Sequence, residues 1–312
     1  MESDLHTYPN TPQDLVTTFQ RQRYLLPDTA ATVLFLALKL DKPVLVEGPA
    51  GVGKTDLARV MALGMERRLI RLQCYEGLDE TKALYEWQYG KQLLYSQILK
   101  DRISEELARD DSPAEALDRV FDFEDIFFSE RFLLPRPLLA AITSDRPVVL
   151  LVDEVDKSDA EFEAFLLEVL SGYSVSIPEI GTLTAKTIPI VILTSNNSRE
   201  MSDALKRRCL HLYLDFPGPE VELQILQLKL PGLGPELARQ VVSVVDRLRK
   251  MPLKKLPSIS ETLDWAAALV SLSVDRLTPE VFSQTLGVLL KYENDLAQAR
   301  KPDAEIKEAL AV

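Results

Sequence analysis

The sequence predicts an α/β chain: a parallel sheet flanked by helices, followed by a C-terminal domain made of helices alone. Three observations carry this. Val44-Leu45-Val46-Glu47 reads as a buried strand running straight into Gly48-Pro49-Ala50-Gly51-Val52-Gly53-Lys54-Thr55, with an amphipathic segment from Asp56 to Met65 behind it. Two further apolar runs, Val148 to Val152 and Ile188 to Thr194, end in Asp153-Glu154 and Ser195-Asn196-Asn197. Beyond Phe216-Pro217-Gly218-Pro219 the periodicity is helical only, so residues 1–216 are expected to form the α/β domain and 217–312 the helical one.

Taken in order, residues 1–12 are polar and read as a loose leader, and Asp14 to Tyr24 reads as a helix. Asp28 is placed to cap a helix from Ala30 to Leu40, whose apolar density packs it on the sheet. The 48–55 segment fits G-x-x-x-x-G-K-T without mismatch. Gly48, Gly51 and Gly53 let the backbone wrap an anion with its N–H groups inward, and the positive end of the following helix faces the same point. Pro49, Ala50, Val52 and Asp56 complete that phosphate-binding stretch. Lys54 is the cation for the β- and γ-phosphates, and the Thr55 hydroxyl is a ligand for Mg²⁺.

Arg68 to Cys74 alternates as a second strand, Glu76 to Trp87 reads as a polar connection, and residues 91–130 as mostly helical around Arg109-Asp110-Asp111-Ser112-Pro113. The stretch 75–130 is therefore expected to be an insertion on the core. A short helix from Pro135 to Ile142 leads into the 148–152 strand. Its five apolar residues suit a strand covered on both faces, so Asp153 and Glu154 emerge at the carboxyl edge where such sheets bind ligands. Asp153 is expected to hold Mg²⁺ through water and Glu154 to activate the water that attacks the γ-phosphate. Asp156 reads as a surface charge. Asn196, with Asn197 as its rival, is placed to hold that water from the opposite side.

Ser158 and Glu161 spell a capping box for a helix from Asp159 to Leu170, Val175–Ile177 with Thr182–Ala185 a hairpin, and Asp203–Arg208 a helix before the strand Leu210–Leu214. Arg207 and Arg208 sit where an arginine can reach the γ-phosphate of a neighbouring subunit. In the C-terminal part, Leu237, Val241, Val244, Val245 and Leu248 share one helical face, and Ser258 with Glu261 makes another capping box.

Composition narrows the function classes. With 312 residues, 46% hydrophobic and 27% charged, the chain is long enough for a full core; its net charge of −12 argues against broad binding to nucleic acid or anionic membranes. Two cysteines, Cys74 and Cys209, cannot build a disulfide framework and read as reduced and buried; two histidines, His6 and His211, cannot build a histidine metal site, and His211 reads as a structural residue on a strand. There is no apolar leader and no run long enough to span a bilayer, so the expected location is cytoplasmic.

These motifs together resemble the AAA+ ATPases, and the resemblance is strongest to the MoxR family. Cys-Tyr-Glu-Gly-Leu-Asp at 74–79, Ala-Leu-Tyr-Glu-Trp at 83–87, Glu-Ala-Phe-Leu-Leu-Glu-Val-Leu at 163–170 and Leu-Thr-Ser-Asn at 193–196 are similar to its CoxD-like branch, associated with carbon monoxide dehydrogenase maturation. The resemblance runs from about Phe19 to Leu272. It implies ATP and Mg²⁺ as cofactors, a hexameric ring, a helix-2 insertion in 75–130, a pre-sensor hairpin at 174–186, and a lid at 217–312. It also implies a von Willebrand factor A domain partner and a client metalloenzyme or complex. By the same resemblance Asn196 is sensor 1 and Arg208 the arginine finger. One departure stands out: a sensor 2 arginine is expected where this chain has Ser260, which leaves Lys254, Lys255 or no residue to take that part. The expected activity is ATP hydrolysis driving remodelling or chaperone-like maturation of a partner. The rivals are a nucleic-acid-directed motor or loader, against which the acidic balance weighs, and a nucleotide-regulated scaffold, against which Glu154 weighs.

Overall fold

The structure, a computed structural model, describes residues 9–107, 129–178 and 180–300. The interruption at 109–113, much of the expected 75–130 insertion and most of the expected leader lie outside the described residues.

Five strands, β1 (Val44–Glu47), β2 (Arg68–Gln73), β5 (Val148–Asp153), β8 (Ile190–Ser195) and β9 (Leu210–Tyr213), form one sheet in the order β2-β5-β8-β1-β9. Every neighbour pair is parallel. All six residues of β5 are buried, as a central parallel strand covered on both faces requires. Burying each of its valines and leucines contributes about 1.5–3 kcal/mol. Side-chain alternation divides the core in two. Val44, Val46, Val149 and Leu151 face the helices Pro12–Arg21, Asp28–Leu40 and Lys54–Gly64, while Leu45, Ile70, Leu72 and Leu150 face Pro137–Ile142 and Ala160–Gly172.

Most expected elements form, with shifted bounds and some different caps. The first helix starts at Pro12, where Thr11 and Asp14 make a capping box; the next starts at Asp28 with Pro27 as its N-cap and no side-chain cap, so Asp28 occupies the first turn rather than the cap. Ser158 does not cap either. Its hydroxyl donates to Val155 O, and Asp159 caps the helix Ala160–Gly172 by accepting from Phe162 N. The polar connection after β2 carries a short helix, Glu80–Leu84, and a strand β3 (Tyr85–Trp87) that pairs antiparallel with β4 (Leu133–Pro135). A further antiparallel pair joins β6 (Ser174–Ile177) and β7 (Gly181–Thr184).

From Pro219 the described elements are all helices: Pro219–Lys229, Pro235–Lys250, Ile259–Ser271, Pro279–Leu289 and Glu293–Ala299. Their core centres on Trp265, fully buried, with its indole N–H donating to Thr285 Oγ1 at 2.8 Å. Leu237, Val241, Val244, Val245 and Leu248 all face inward. Ser258 caps the helix Ile259–Ser271 through the capping box with Glu261. No described helix is long and apolar enough to cross a membrane.

Candidate active site

The parallel register sets the site. Gln73 lies opposite Asp153 and Glu47 opposite Ser195, so the ends of β2, β5, β8 and β1 meet along one edge. In open α/β sheets the carboxyl ends of the strands form the ligand crevice. Here a cavity of about 470 Å³ opens there, lined by Gly51, Gly53, Lys54, Thr55, Asp153, Glu154 and others.

Its floor is the loop between β1 and the helix Lys54–Gly64. Gly51 (φ 77°) and Gly53 (φ 98°) adopt left-handed backbone, and Gly53 caps that helix without any side-chain hydrogen bond, leaving the first-turn N–H groups turned toward the cavity mouth. A Cβ on Gly51 would lie 2.3 Å from Ser258 Oγ, so glycine is also what lets the C-terminal helices sit against this loop. Lys54 is 6% exposed, and its amine donates to Gly48 O at 2.7 Å and Pro49 O at 2.6 Å. Burial pushes the amine below the usual lysine range, partly offset by Asp156, Asp153 and Glu154.

The structure brings Thr55 and Asp153 together: Thr55 Oγ1 donates to Asp153 Oδ1 at 3.0 Å. Both groups offer hard oxygen donors, which suits Mg²⁺. Asp153, 2% exposed, accepts two more bonds, from Thr194 Oγ1 at 2.5 Å and from Arg71 Nη2 at 2.5 Å. Glu154 follows in left-handed backbone (φ 56°), a conformation costing a non-glycine residue about 1–2 kcal/mol. Its amide donates to Thr194 Oγ1 at 2.9 Å, which holds the turn. The carboxylate is gripped on both oxygens: Asn196 Nδ2 donates to Oε1 at 3.0 Å, and Gln73 Nε2 (2.9 Å) and Lys157 Nζ (2.7 Å) donate to Oε2.

Asn196, not Asn197, reaches Glu154. Asn197 sits in left-handed backbone (φ 57°), and its amide N donates to Ser195 Oγ at 3.0 Å, closing the turn after β8. Asp156 is not a surface charge. It is 4% exposed and accepts from the amide of Ser198 at 2.9 Å and from its hydroxyl, tying the turn after β5 to the loop after β8. Burial pushes its carboxyl up, but the Ser198 bonds outweigh this and hold it below the usual range. Further along that loop, Arg199 (3.0 Å) and the Ser202 amide (2.8 Å) donate to Glu163 on the helix Ala160–Gly172.

The loop ends in the helix Asp203–Arg208. Arg207 and Arg208 are both exposed there and do not line the cavity of their own chain. Asp56 turns its carboxylate to Arg59 (2.7 Å) and to Lys229 (3.2 Å). Gly48 is fixed by close packing, since a Cβ there would lie 1.9 Å from Leu214 O; Val52 is buried, and Ala50 lines the cavity. Lys254 and Lys255 do not reach the cavity, for Lys254 Nζ lies over the Tyr292 ring and Lys255 Nζ donates to Glu261. Ser260 does line it, and its hydroxyl donates to Gly51 O at 3.2 Å. Cys74 and Cys209 are buried, which pushes both thiols up to about 12 and leaves them inert at neutral pH. His211 lies on β9, with Nε2 2.6 Å from Glu47 Oε2.

A second cavity of about 480 Å³ shares Gly51, Gly53, Asp56 and Ser260 with the first, and Tyr24, Pro27, Phe216, Ile225 and Leu263 give it an apolar wall. Sequence reading missed it, along with Arg71, Gln73 and Thr194. The alternation of β2 does put Arg71 and Gln73 on one face, but only the pairing with β5 shows that this face meets Asp153 and Glu154.

A family model, ATPase family associated with various cellular activities (AAA), matches residues 44–216, more than half of the chain. The chain belongs to this family. Among solved structures, this AAA protein is similar to RuvB of Thermotoga maritima, described as a Holliday junction branch migration motor: TM-score 0.45, 16% identity, 90% of this chain and 72% of that one covered. A mutant of the same RuvB aligns at TM-score 0.47 and 15% identity, covering 89% of this chain and 70% of that one. Likeness this distant says nothing about what the AAA protein acts on. No curated protein matches the chain.

Proposed function

We propose that this AAA protein hydrolyses ATP with Mg²⁺ and uses the cycle to remodel or mature a partner protein. The observation that carries the reading is the clamp on Glu154: a carboxylate held on one oxygen by Asn196 and on the other by Gln73, beside the Thr55–Asp153 pair and the Lys54 amine. Lys54 moves from the carbonyls of Gly48 and Pro49 onto the β- and γ-phosphates. Thr55 and Asp153 would hold the metal, Thr55 directly and Asp153 through water, and Mg²⁺ would supply positive charge to neutralise the phosphate oxygens. Glu154 takes the proton of the attacking water and Asn196 orients it. The apolar cavity beside Tyr24 and Leu263 takes the base and ribose.

Arg208, with Arg207 beside it, reaches the γ-phosphate of the next subunit in a head-to-tail ring, in which every subunit both gives and receives an arginine. A hexamer, a von Willebrand factor A domain partner, a metalloenzyme client and a cytoplasmic setting belong to the same reading and rest on the resemblance to the MoxR family and its CoxD-like branch. The division into a nucleotide-binding domain (1–216) and a lid (217–312), with a pre-sensor hairpin at 174–186, belongs to it too. Phosphate release from Mg-ATP, with and without DNA, tests the proposal. Turnover that needs Mg²⁺ and ignores DNA is expected; stimulation of several-fold by DNA would favour a nucleic-acid motor, and absence of turnover in native-sized assemblies would favour a scaffold.

A further inference from the structure

Arg71 is a cation inside the phosphate cavity that no part of the hydrolytic scheme uses. It stands on β2, the edge strand, and its guanidinium Nη2 lies 2.5 Å from Asp153 Oδ2 and 2.6 Å from Gln73 Oε1. The side chain is about half exposed and lines the cavity, so it is free to move, whereas Asp153 is buried and fixed by Thr55 and Thr194. Thr194 bonds to Oδ1, Thr55 bonds to Oδ1 at 3.0 Å and more loosely to Oδ2 at 3.4 Å, and among the described residues Arg71 is the one cation on Oδ2. The oxygen more open to a metal or its water is therefore the one the guanidinium holds.

We propose that Arg71 competes with the divalent cation for Asp153, holding the carboxylate when nucleotide is absent and giving it up when the metal–nucleotide pair arrives. A guanidinium and a divalent cation with its water compete at this oxygen, because the other one already accepts from Thr55 and Thr194 and two cations a few ångströms apart on one carboxylate repel. Arg71 thereby lowers the apparent affinity for Mg²⁺ and keeps a buried carboxylate paired in the nucleotide-free protein. The proposal rests on reading Thr55 and Asp153 as the metal-facing pair.

The test uses the full chain and a non-hydrolysable, fluorescent ATP analogue, with Mg²⁺ titrated at fixed analogue and Mn²⁺ followed in parallel by electron paramagnetic resonance. Arg71→Gln is expected to lower the half-saturating concentration of either ion by about tenfold, the size of one hydrogen bond to a charged group, while Arg71→Lys stays within about twofold of the parental chain. In chelator, Arg71→Gln should melt below the parental chain, and Mg²⁺ with analogue should close that gap. An unchanged half-saturation in Arg71→Gln overturns the proposal, and a raised one overturns it in favour of a direct phosphate contact. If the parental chain itself binds the analogue equally with and without Mg²⁺, the reading of Thr55 and Asp153 fails, and the proposal with it.

Discussion

Asn196 donates its side-chain amide to Glu154 at 3.0 Å across the gap between β8 and β5. Two strand ends thus hold one carboxylate in a fixed direction, next to a buried lysine and a threonine–aspartate pair. Lys54→Ala is expected to abolish nucleotide binding, while Glu154→Gln binds ATP and loses about 10²–10⁴-fold in turnover, the usual contribution of a general base. Asn196→Ala should bind normally and turn over slowly. Binding by calorimetry and steady-state phosphate release separate the three, and parental turnover in Glu154→Gln would remove its role.

The contact between Gly51 and the start of the helix Ile259–Ser271 leads to a second prediction. Gly51→Ala places a Cβ 2.3 Å from Ser258 Oγ in left-handed backbone, so the capping residue of that helix must move. The variant is expected to lose about 1–3 kcal/mol of stability and at least tenfold in nucleotide affinity. Ser260→Ala loses only a hydroxyl bonded to the Gly51 carbonyl and should change turnover by less than about threefold. A hundredfold loss in Ser260→Ala would mean that the serine touches the reacting groups.

Arg208 is exposed and lines neither cavity of its own chain. Arg208→Ala should therefore keep nucleotide binding and lose hydrolysis by about 10³-fold or more. Mixed with Lys54→Ala subunits, which retain the arginine, it should regain activity that neither variant has alone. Mixed assemblies of native size that stay inactive would contradict action across a boundary, and a parental rate in Arg208→Ala alone would remove the assignment.

Asp156 supplies a pH dependence with a definite sign. Its carboxyl is held below the usual value by Ser198, so the folded state keeps it ionised where the unfolded chain, with a value near 3.8, begins to take up a proton. That stability is fully present above the unfolded value and is lost as pH falls through the folded one. Asp156→Asn should be less stable than the parental chain at pH 7, by about 1–3 kcal/mol for a buried charged hydrogen bond. The difference in melting temperature should shrink as pH is lowered from 5 toward 3. A difference that stays constant over this range would show that the Ser198 contact does not depend on the charge.

Much of the site was legible because its parts are local. The 48–55 loop spells its own backbone geometry, and a five-residue apolar run suits a covered strand, so Asp153 and Glu154 were expected together at its carboxyl end. The Ser258–Glu261 cap and the inward face of Pro235–Lys250 follow from spacing alone. Strand order and side-chain direction are different, because nothing in a strand's own residues says which strand it will pair with. Only the β2–β5 register brings Arg71 to Asp153 and Gln73 to Glu154, and only the turn after β8 selects Asn196 over Asn197. Asp156 looked like one more surface acid, yet packing buried it and gave it Ser198. The apolar cavity joins Tyr24, from near the start of the chain, to Leu263 in the C-terminal helices. Periodicity reports which face of an element is covered; what covers it is decided by long-range packing, and in this protein that packing sets the company each side chain of the candidate site keeps.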